Sequence, residues 1–371
     1  MGGRPYGIPL ILGAKAVSAC THIIPPDPHA IVALWQSRRE SAVLSKVTRI
    51  LAVLDGTDED AVVVSKAVAI AHQHRVPLEL FLCDAQRAYS LLHAYDQTDV
   101  NEFRRKCIRE SRHYLESLRD IAVGADVTIT VDAACESPLY EAIVRKAVRS
   151  GANLVIKSAA NPSPLARYAL DVNDWQLMRA CPVTLLLSRG KSWQPSPKFL
   201  AAVDVSGAET SGLPGNILGV CSELSRGSHG RLDIVYSEPE NLDPVERSRR
   251  LKKLQTLTGE AAIPGAGVHV LLGDADDVLP TFAAGRGYDA VIMGALTHRE
   301  GLAALVGTLT SKLVESLGCD FVLVKPESYH TRVELSDAVD EGAVEGSGIE
   351  DLPPPAPATP GFVSPWQLPG R

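Results

Sequence analysis

The chain has 371 residues, of which 45% are apolar, 22% charged and 5% aromatic, a composition that builds an aliphatic globular core over about two domains. No stretch reaches the roughly 20 consecutive apolar residues that a spanning helix requires, which excludes an integral helical membrane protein. The formal charge is −7, but the segment from Val333 onward holds seven acids against Arg371; it carries nearly all of the negative charge, and the rest offers no broad attraction to nucleic acid.

Seven cysteines are scattered, with no Cys-x-x-Cys pair, so neither a zinc ribbon nor a thioredoxin-like motif is present. Their odd number argues against a disulfide framework, and a reducing cytoplasm is the simplest setting.

Residues 1–46 show no sustained hydrophobic period and read as an N-terminal extension. Val17-Ser-Ala-Cys20 has the look of a lipoprotein cleavage site, but the apolar run before it is short and broken by Pro9 and Lys15. At the other end, residues 334–371 combine acids, glycines and Pro353-Pro-Pro-Ala-Pro357 with few apolar groups, the signature of a disordered tail.

Between these ends the chain repeats itself. Thr48-Arg-Ile-Leu-Ala-Val-Leu-Asp55 and Phe199-Leu-Ala-Ala-Val-Asp204 are both apolar runs closed by an acid. Gly151-Ala-Asn-Leu-Val-Ile-Lys157 matches Gly287-Tyr-Asp-Ala-Val-Ile-Met293, and the run from Arg179 to Leu187 matches that from Leu317 to Val324. The offsets of 149, 136 and 138 residues are those of a duplicated domain, since solenoid repeats run about 20–50 residues.

In the first half, strands are predicted near 48–54, 78–84, 127–131, 153–157 and 182–187, with helices near 58–74, 99–121, 137–150 and 171–180. In the second, strands are predicted near 199–204, 231–236, 267–272, 289–293 and 320–324, with helices near 209–226, 243–258, 275–286 and 303–317. Short aliphatic strands alternating with helices mean an α/β fold: two tandem Rossmann-like domains, 47–190 and 198–330, each a five-stranded parallel sheet flanked by helices. Ligands on such sheets sit beyond the carboxyl ends of the strands, which directs attention to the loops after Asp55 and Asp204 and after the fourth strand of each half.

The fourth-strand loop of the second half reads Gly294-Ala-Leu-Thr-His-Arg-Glu-Gly301-Leu-Ala-Ala-Leu-Val-Gly307-Thr308. Small residues there admit a phosphate close to the backbone, a helix N-terminus adds positive potential, and Thr308 adds a hydroxyl; a strand-to-helix turn needing glycine is the plainer reading of the same spacing. Gly227-Ser-His-Gly-Arg231 precedes the second strand and reads as a turn. Ser206-Gly-Ala-Glu-Thr-Ser211 lacks the residues of a pyrophosphatase loop, and no catalytic elbow, Walker lysine or metal-binding spacing appears.

The duplicated pattern over about residues 47–335 resembles the universal stress protein family in its tandem form, including Asp174-Trp-Gln-Leu-Met-Arg-Ala-Cys-Pro182 and Val322-Leu-Val-Lys-Pro-Glu-Ser-Tyr329. In nucleotide-binding members the loop has a glycine, two residues, a glycine, nine residues, then glycine and Ser or Thr. Gly294, Gly307 and Thr308 match at those separations, whereas Thr297 replaces the middle glycine, a change worth about 1–3 kcal/mol of strain if that position requires positive φ. The resemblance implies that Asp204, with Val205 beside it, faces the base and ribose of ATP; a turn acid after a strand is the plainer role for Asp204. In the first half the equivalent loop positions fall at Ser158, Asn161 and Ala169, all glycines are lost, and Pro162 and Pro164 lack N–H groups, so that half is expected to bind no nucleotide.

The expected protein is therefore a non-catalytic cytoplasmic stress protein supporting resistance to stress, DNA damage included. It has ATP as the implied ligand, one per chain in the second domain, and no metal, membrane or direct nucleic-acid partner. A carrier or sensor of another small molecule and an enzyme of adenylate chemistry are the competing readings. The aliphatic fifth strands, Val183-Thr-Leu-Leu-Leu187 and Phe321-Val-Leu-Val324, are expected to pair antiparallel as an intramolecular pseudo-dimer, the way single-domain members of the family meet.

Overall fold

The computed structural model of the chain describes residues 22–23, 46–91, 97–122, 126–159, 170–207, 212–228, 230–261, 263, 265–295, 308–326 and 329–335. They gather into two bodies: Val47–Trp193 joined by the segment from Asp320, and Gln194–Cys319 joined by the short strand β1 (His22–Ile23).

The first body begins with β2 (Ile50–Leu54), α1 (Asp60–His74), β3 (Leu78–Cys83), α2 (Ala85–Leu91) and α3 (Gln97–Ile121). It continues with β4 (Ile129–Ala134), α4 (Leu139–Ser150), β5 (Leu154–Ser158), α5 (Val172–Ala180) and β6 (Thr184–Ser188). Its strands run parallel in the order β4-β3-β2-β5-β6. Every residue of β2 is buried, as a continuous aliphatic run covered on both faces requires. The helices present stripes at helical spacing: Val63, Ala67 and Ile70 from α1, and Cys107, Ser111 and Leu115 from α3, are all buried.

The second body contains β7 (Lys198–Ala202), α6 (Leu213–Ser228), β8 (Arg231–Glu238), α7 (Pro244–Glu260), β9 (Gly267–Leu272), α8 (Ala275–Ala283), β10 (Ala290–Gly294) and α9 (Thr308–Ser316). Its parallel strands lie in the order β9-β8-β7-β10, and β1 adds antiparallel on β9, with His22 opposite Val270. Asp243 caps α7, its carboxylate accepting the N–H groups of Val245 and Glu246 at 2.9 and 3.1 Å, with Pro244 at the first helical position.

The last strand, β11 (Asp320–Val324), belongs to the first body. It pairs antiparallel with β6, Phe321 opposite Leu187 and Leu323 opposite Leu185, so the two fifth strands meet as the sequence predicts. A buried polar anchor fixes the start of β11. The Asp320 carboxylate accepts from Lys66 Nζ at 2.6 Å, Trp193 Nε1 at 2.7 Å and the Arg189 N–H at 2.8 Å, while Lys66 also donates to Ser188 Oγ at 2.8 Å. Just past β11, Lys325 Nζ donates to the carbonyls of Met178 and Arg179 at 2.6 and 3.2 Å, capping the negative end of α5. The Tyr329 hydroxyl donates to the same Arg179 carbonyl. Burial pulls the Lys325 amine down to about 8.

The α/β alternation matches the predicted one, with instructive departures. The strand predicted at 127–131 starts at Ile129, because Asp126 turns with φ 52° and the chain is not yet extended. The helix predicted at 275–286 stops at Ala283, where the chain leaves helical angles and passes through Gly285 and Gly287 at φ 72° and 67°. Helix α2 was not anticipated from the sequence, and neither was the pairing of β1 in the N-terminal extension. The expected disordered tail lies outside the described residues from 336 onward, and so do the starts of the helices predicted at 209–226 and 303–317.

Candidate functional site

In each body the strand order reverses once, between β2 and β5 in the first and between β7 and β10 in the second. A crevice opens at the carboxyl ends of such a strand pair, and loops from both strands line it.

In the second body Asp204 lies two residues beyond β7. Its Oδ1 accepts the Ser206 N–H at 2.7 Å and its Oδ2 the Ser206 hydroxyl at 2.9 Å, a turn that sets the carboxylate at the head of the strand. Val205 is buried beside it, and Lys253 Nζ of α7 lies 3.4 Å from its carbonyl. Gly294 closes the adjacent β10 and Thr308 opens α9, so Asp204, Val205 and Gly294 come from the same end of neighbouring parallel strands. Thr297 and Gly307 lie outside the described residues.

The first body has the same frame and a different filling. Lys157, only 3% exposed near the end of β5, places Nζ 3.1 Å from Asp55 Oδ2 and 3.1 Å from Asp174 Oδ1, and donates to the Ser158 carbonyl at 2.8 Å. Burial works to strip the proton from this ammonium, but the carboxylates of Asp55 and Asp174 outweigh it and hold its pKa above the usual lysine value. Burial raises Asp174 to about 6 despite the facing Lys157. Ser158 and Ala159 are tied down too, the Ala159 N–H donating to the Ser188 carbonyl at 2.8 Å and Arg189 Nη1 to the Ala159 carbonyl at 3.0 Å. Asn161 and Ala169 fall outside the described residues. The residue matching Lys157 in the second half is Met293, buried and apolar.

Asp60, at the first turn of α1, completes the loop after Asp55. Its carboxylate accepts the Asp55 N–H at 3.0 Å, the Gly56 N–H at 2.9 Å and the Tyr114 hydroxyl at 2.9 Å. Burial dominates and raises its pKa to about 6 from 3.8, the backbone donors only partly offsetting it. The folded state therefore binds more protons than the unfolded chain between those values, and this group's contribution to stability falls as pH rises from 4 to 6. Asp60→Asn should accordingly cost most near pH 4 and progressively less toward pH 7, the gap narrowing by about 3 kcal/mol at one pKa unit per 1.4 kcal/mol. Urea melts of both proteins across this range check it; a constant or widening gap would contradict the assignment.

At the opposite, amino end of the second body's sheet, Asp233 accepts from the Tyr288 hydroxyl at 2.8 Å, with Lys198 Nζ at 3.5 Å and His269 Nε2 at 3.4 Å. Burial alone would raise its carboxyl, but His269, Tyr288 and Lys198 bring it down to about 2. This cluster braces β7, β8 and β9 away from the crevice. Among the described residues no group of His, Cys, Asp or Glu is placed to hold a metal ion, and no helix is long and apolar enough to cross a membrane.

Lys157 and Asp174 went unread in the sequence as a pair, although a single lysine in the run Leu154-Val-Ile-Lys157, where the repeat has methionine, was the signal.

The sequence profile of the universal stress protein family matches residues 46–189 and again 208–325. The chain belongs to this family. Among curated relatives, universal stress protein E of Escherichia coli strain K12 is 23% identical over 309 residues, covering 78% of this chain and 98% of the relative. The universal stress protein E homolog of Haemophilus influenzae is 23% identical over 303 residues, covering 76% of this chain and 98% of its own. Of solved structures, a protein of unknown function from Pseudomonas aeruginosa PAO1 shares the fold with a TM-score of 0.60 at 22% identity, covering 77% of this chain and 95% of that one. A universal stress protein from Archaeoglobus fulgidus aligns with a TM-score of 0.56 at 12% identity, covering 76% of this chain and 97% of its own. The tandem universal stress architecture is therefore shared along nearly the full length of these relatives, and family membership supports a stress-related role.

Proposed function

We propose that the chain is a non-catalytic, cytoplasmic stress protein, supporting resistance to stress that includes DNA damage, and that it binds one ATP in the crevice of its second body. The observation that carries the asymmetry is the exchange of Lys157 for Met293 at one sheet position. In the first body the ammonium is locked between Asp55 and Asp174 and occupies the place where the strand order reverses. In the second, the buried, apolar Met293 takes the matching position, with Asp204 and Val205 just past β7 and Gly294 at the end of the neighbouring β10. Phosphate would lie against the backbone of Thr297, Gly307 and the start of α9, where a helix N-terminus favours an anion.

Equilibrium dialysis of the full chain with labelled ATP and Mg²⁺ tests this. One equivalent should bind, and Gly307→Trp should abolish it by filling the loop. Two equivalents would overturn the asymmetry, and no binding at millimolar ATP would overturn the nucleotide reading. Steady release of ADP or AMP would show an enzyme in place of a carrier.

A further inference from the structure

Glu238 ends β8 at the carboxyl end of the second body's sheet, and its side chain is 1% exposed. Oε1 takes a hydrogen bond from Arg247 Nε of α7 at 2.5 Å, whereas Oε2 is buried with no hydrogen-bond donor among the described residues. A buried carboxylate oxygen left without a donor is a costly arrangement, and natural structures supply one from protein, water or ligand. The register of β7 and β8 sets Ala202 level with Val235, so Val205, just past the end of β7, and Glu238, the last residue of β8, stand at the same carboxyl end of neighbouring parallel strands. Helix α7 reaches both, through Lys253 to the Val205 carbonyl and Arg247 to Glu238. Glu238 thus shares one sheet end and one covering helix with the residues assigned above to the base and ribose.

We propose that Glu238 is a specificity-determining residue of this site, its free Oε2 accepting a single N–H from an exocyclic amine on the bound nucleobase. The inference rests on the nucleotide reading above and adds the base preference. An ionised carboxylate accepts and never donates, so it favours an amine and rejects a carbonyl at the same place. With Oε1 committed to Arg247, only one acceptor remains, which suits the lone amine of adenine; the paired donors of guanine call for both oxygens. Rejection of a mismatched ligand is the stronger half of such discrimination, because the mismatch leaves buried polar groups unpaired.

Calorimetric titration of the full chain with ATP, inosine triphosphate and GTP decides it. Inosine triphosphate differs from ATP by a carbonyl in place of the amine and by an N1–H in place of the ring acceptor. The wild-type chain should bind ATP at least tenfold more tightly than either of the others. Glu238→Gln, which can donate to the carbonyl, should narrow or reverse the preference over inosine triphosphate. Equal binding of ATP and inosine triphosphate by the wild-type chain, which needs no variant to fold, overturns the role of Glu238 while leaving the nucleotide reading intact. An ATP preference unchanged in a folded Glu238→Gln protein does the same. Failure of all three nucleotides to bind overturns both.

Discussion

Lys157→Met should destabilise the protein by about 3–5 kcal/mol, even though it installs the residue that the second half carries at the same place. The native ammonium sits between Asp55 and Asp174 at 3.1 Å each, nearly sealed from water. Such a triad contributes little net stability while intact, because desolvation of the charges offsets their attraction. Removing one member is different, since two carboxylates then face each other in a poorly solvated place with no counter-charge. Their pKa values will climb beyond the value of about 6 already held by Asp174, so the folded variant takes up protons that the unfolded chain does not. The deficit should therefore be smaller at pH 5 than at pH 7. Urea unfolding at both pH values measures it; a loss below about 1 kcal/mol at pH 7 would place this pair with weak surface ion pairs and refute the buried triad.

Asp320→Ala should be of similar size, about 3–5 kcal/mol, and for the complementary reason. One carboxylate serves Lys66, Trp193 and the Arg189 N–H at 2.6 to 2.8 Å, and burial raises its pKa against the pull of Lys66. Truncation leaves a buried ammonium with Ser188 as its remaining hydrogen-bond partner among the described residues, and takes one acceptor from the Arg189 N–H and from Trp193 Nε1. Much of the cost comes from the orphaned Lys66, so the double variant with Lys66→Met should be less destabilised than the sum of the singles by more than about 1 kcal/mol. Strict additivity in the four-protein cycle would show that the two side chains do not depend on each other.

The sequence made the fold legible because parallel strands buried on both faces leave compact aliphatic runs, and the repeat doubled the evidence for each. The run ending in Asp55 and its counterpart ending in Asp204 marked β2 and β7, the strands beside which the order reverses. What it concealed was pairing across long separations. Lys66 and Asp320 are 254 positions apart, and Lys146 bonds to Glu79 and Asp132 at 2.6 and 2.7 Å from three different elements. Nothing local in an amphipathic helix distinguishes a lysine that will be buried against a distant carboxylate from one that will be solvated. Helix α2 was missed because seven residues are too few to show a helical period, and its packing of Ala88 against Cys107 and Cys135 is what holds it. The unsatisfied oxygen of Glu238 is likewise a product of assembly, since the acid looks like any other at the end of a strand until Arg247 takes one oxygen and leaves the other.

The membership of β11 in the first body has a consequence for the order in which the protein can be made. Synthesis proceeds from the amino terminus at about 5–20 residues per second, and domains generally fold as they emerge. The first body cannot do so completely: β6 ends at Ser188, but the strand that covers its aliphatic edge begins only at Asp320. On the ribosome that edge stays open for about ten seconds while the whole intervening half is translated. Lys66, whose carboxylate partner is Asp320, waits for the same length of time. A message cut short anywhere in that interval yields a chain with a bare apolar strand edge, a ready template for association with other chains. The last strand among the described residues to leave the ribosome is thus the one that closes the first body.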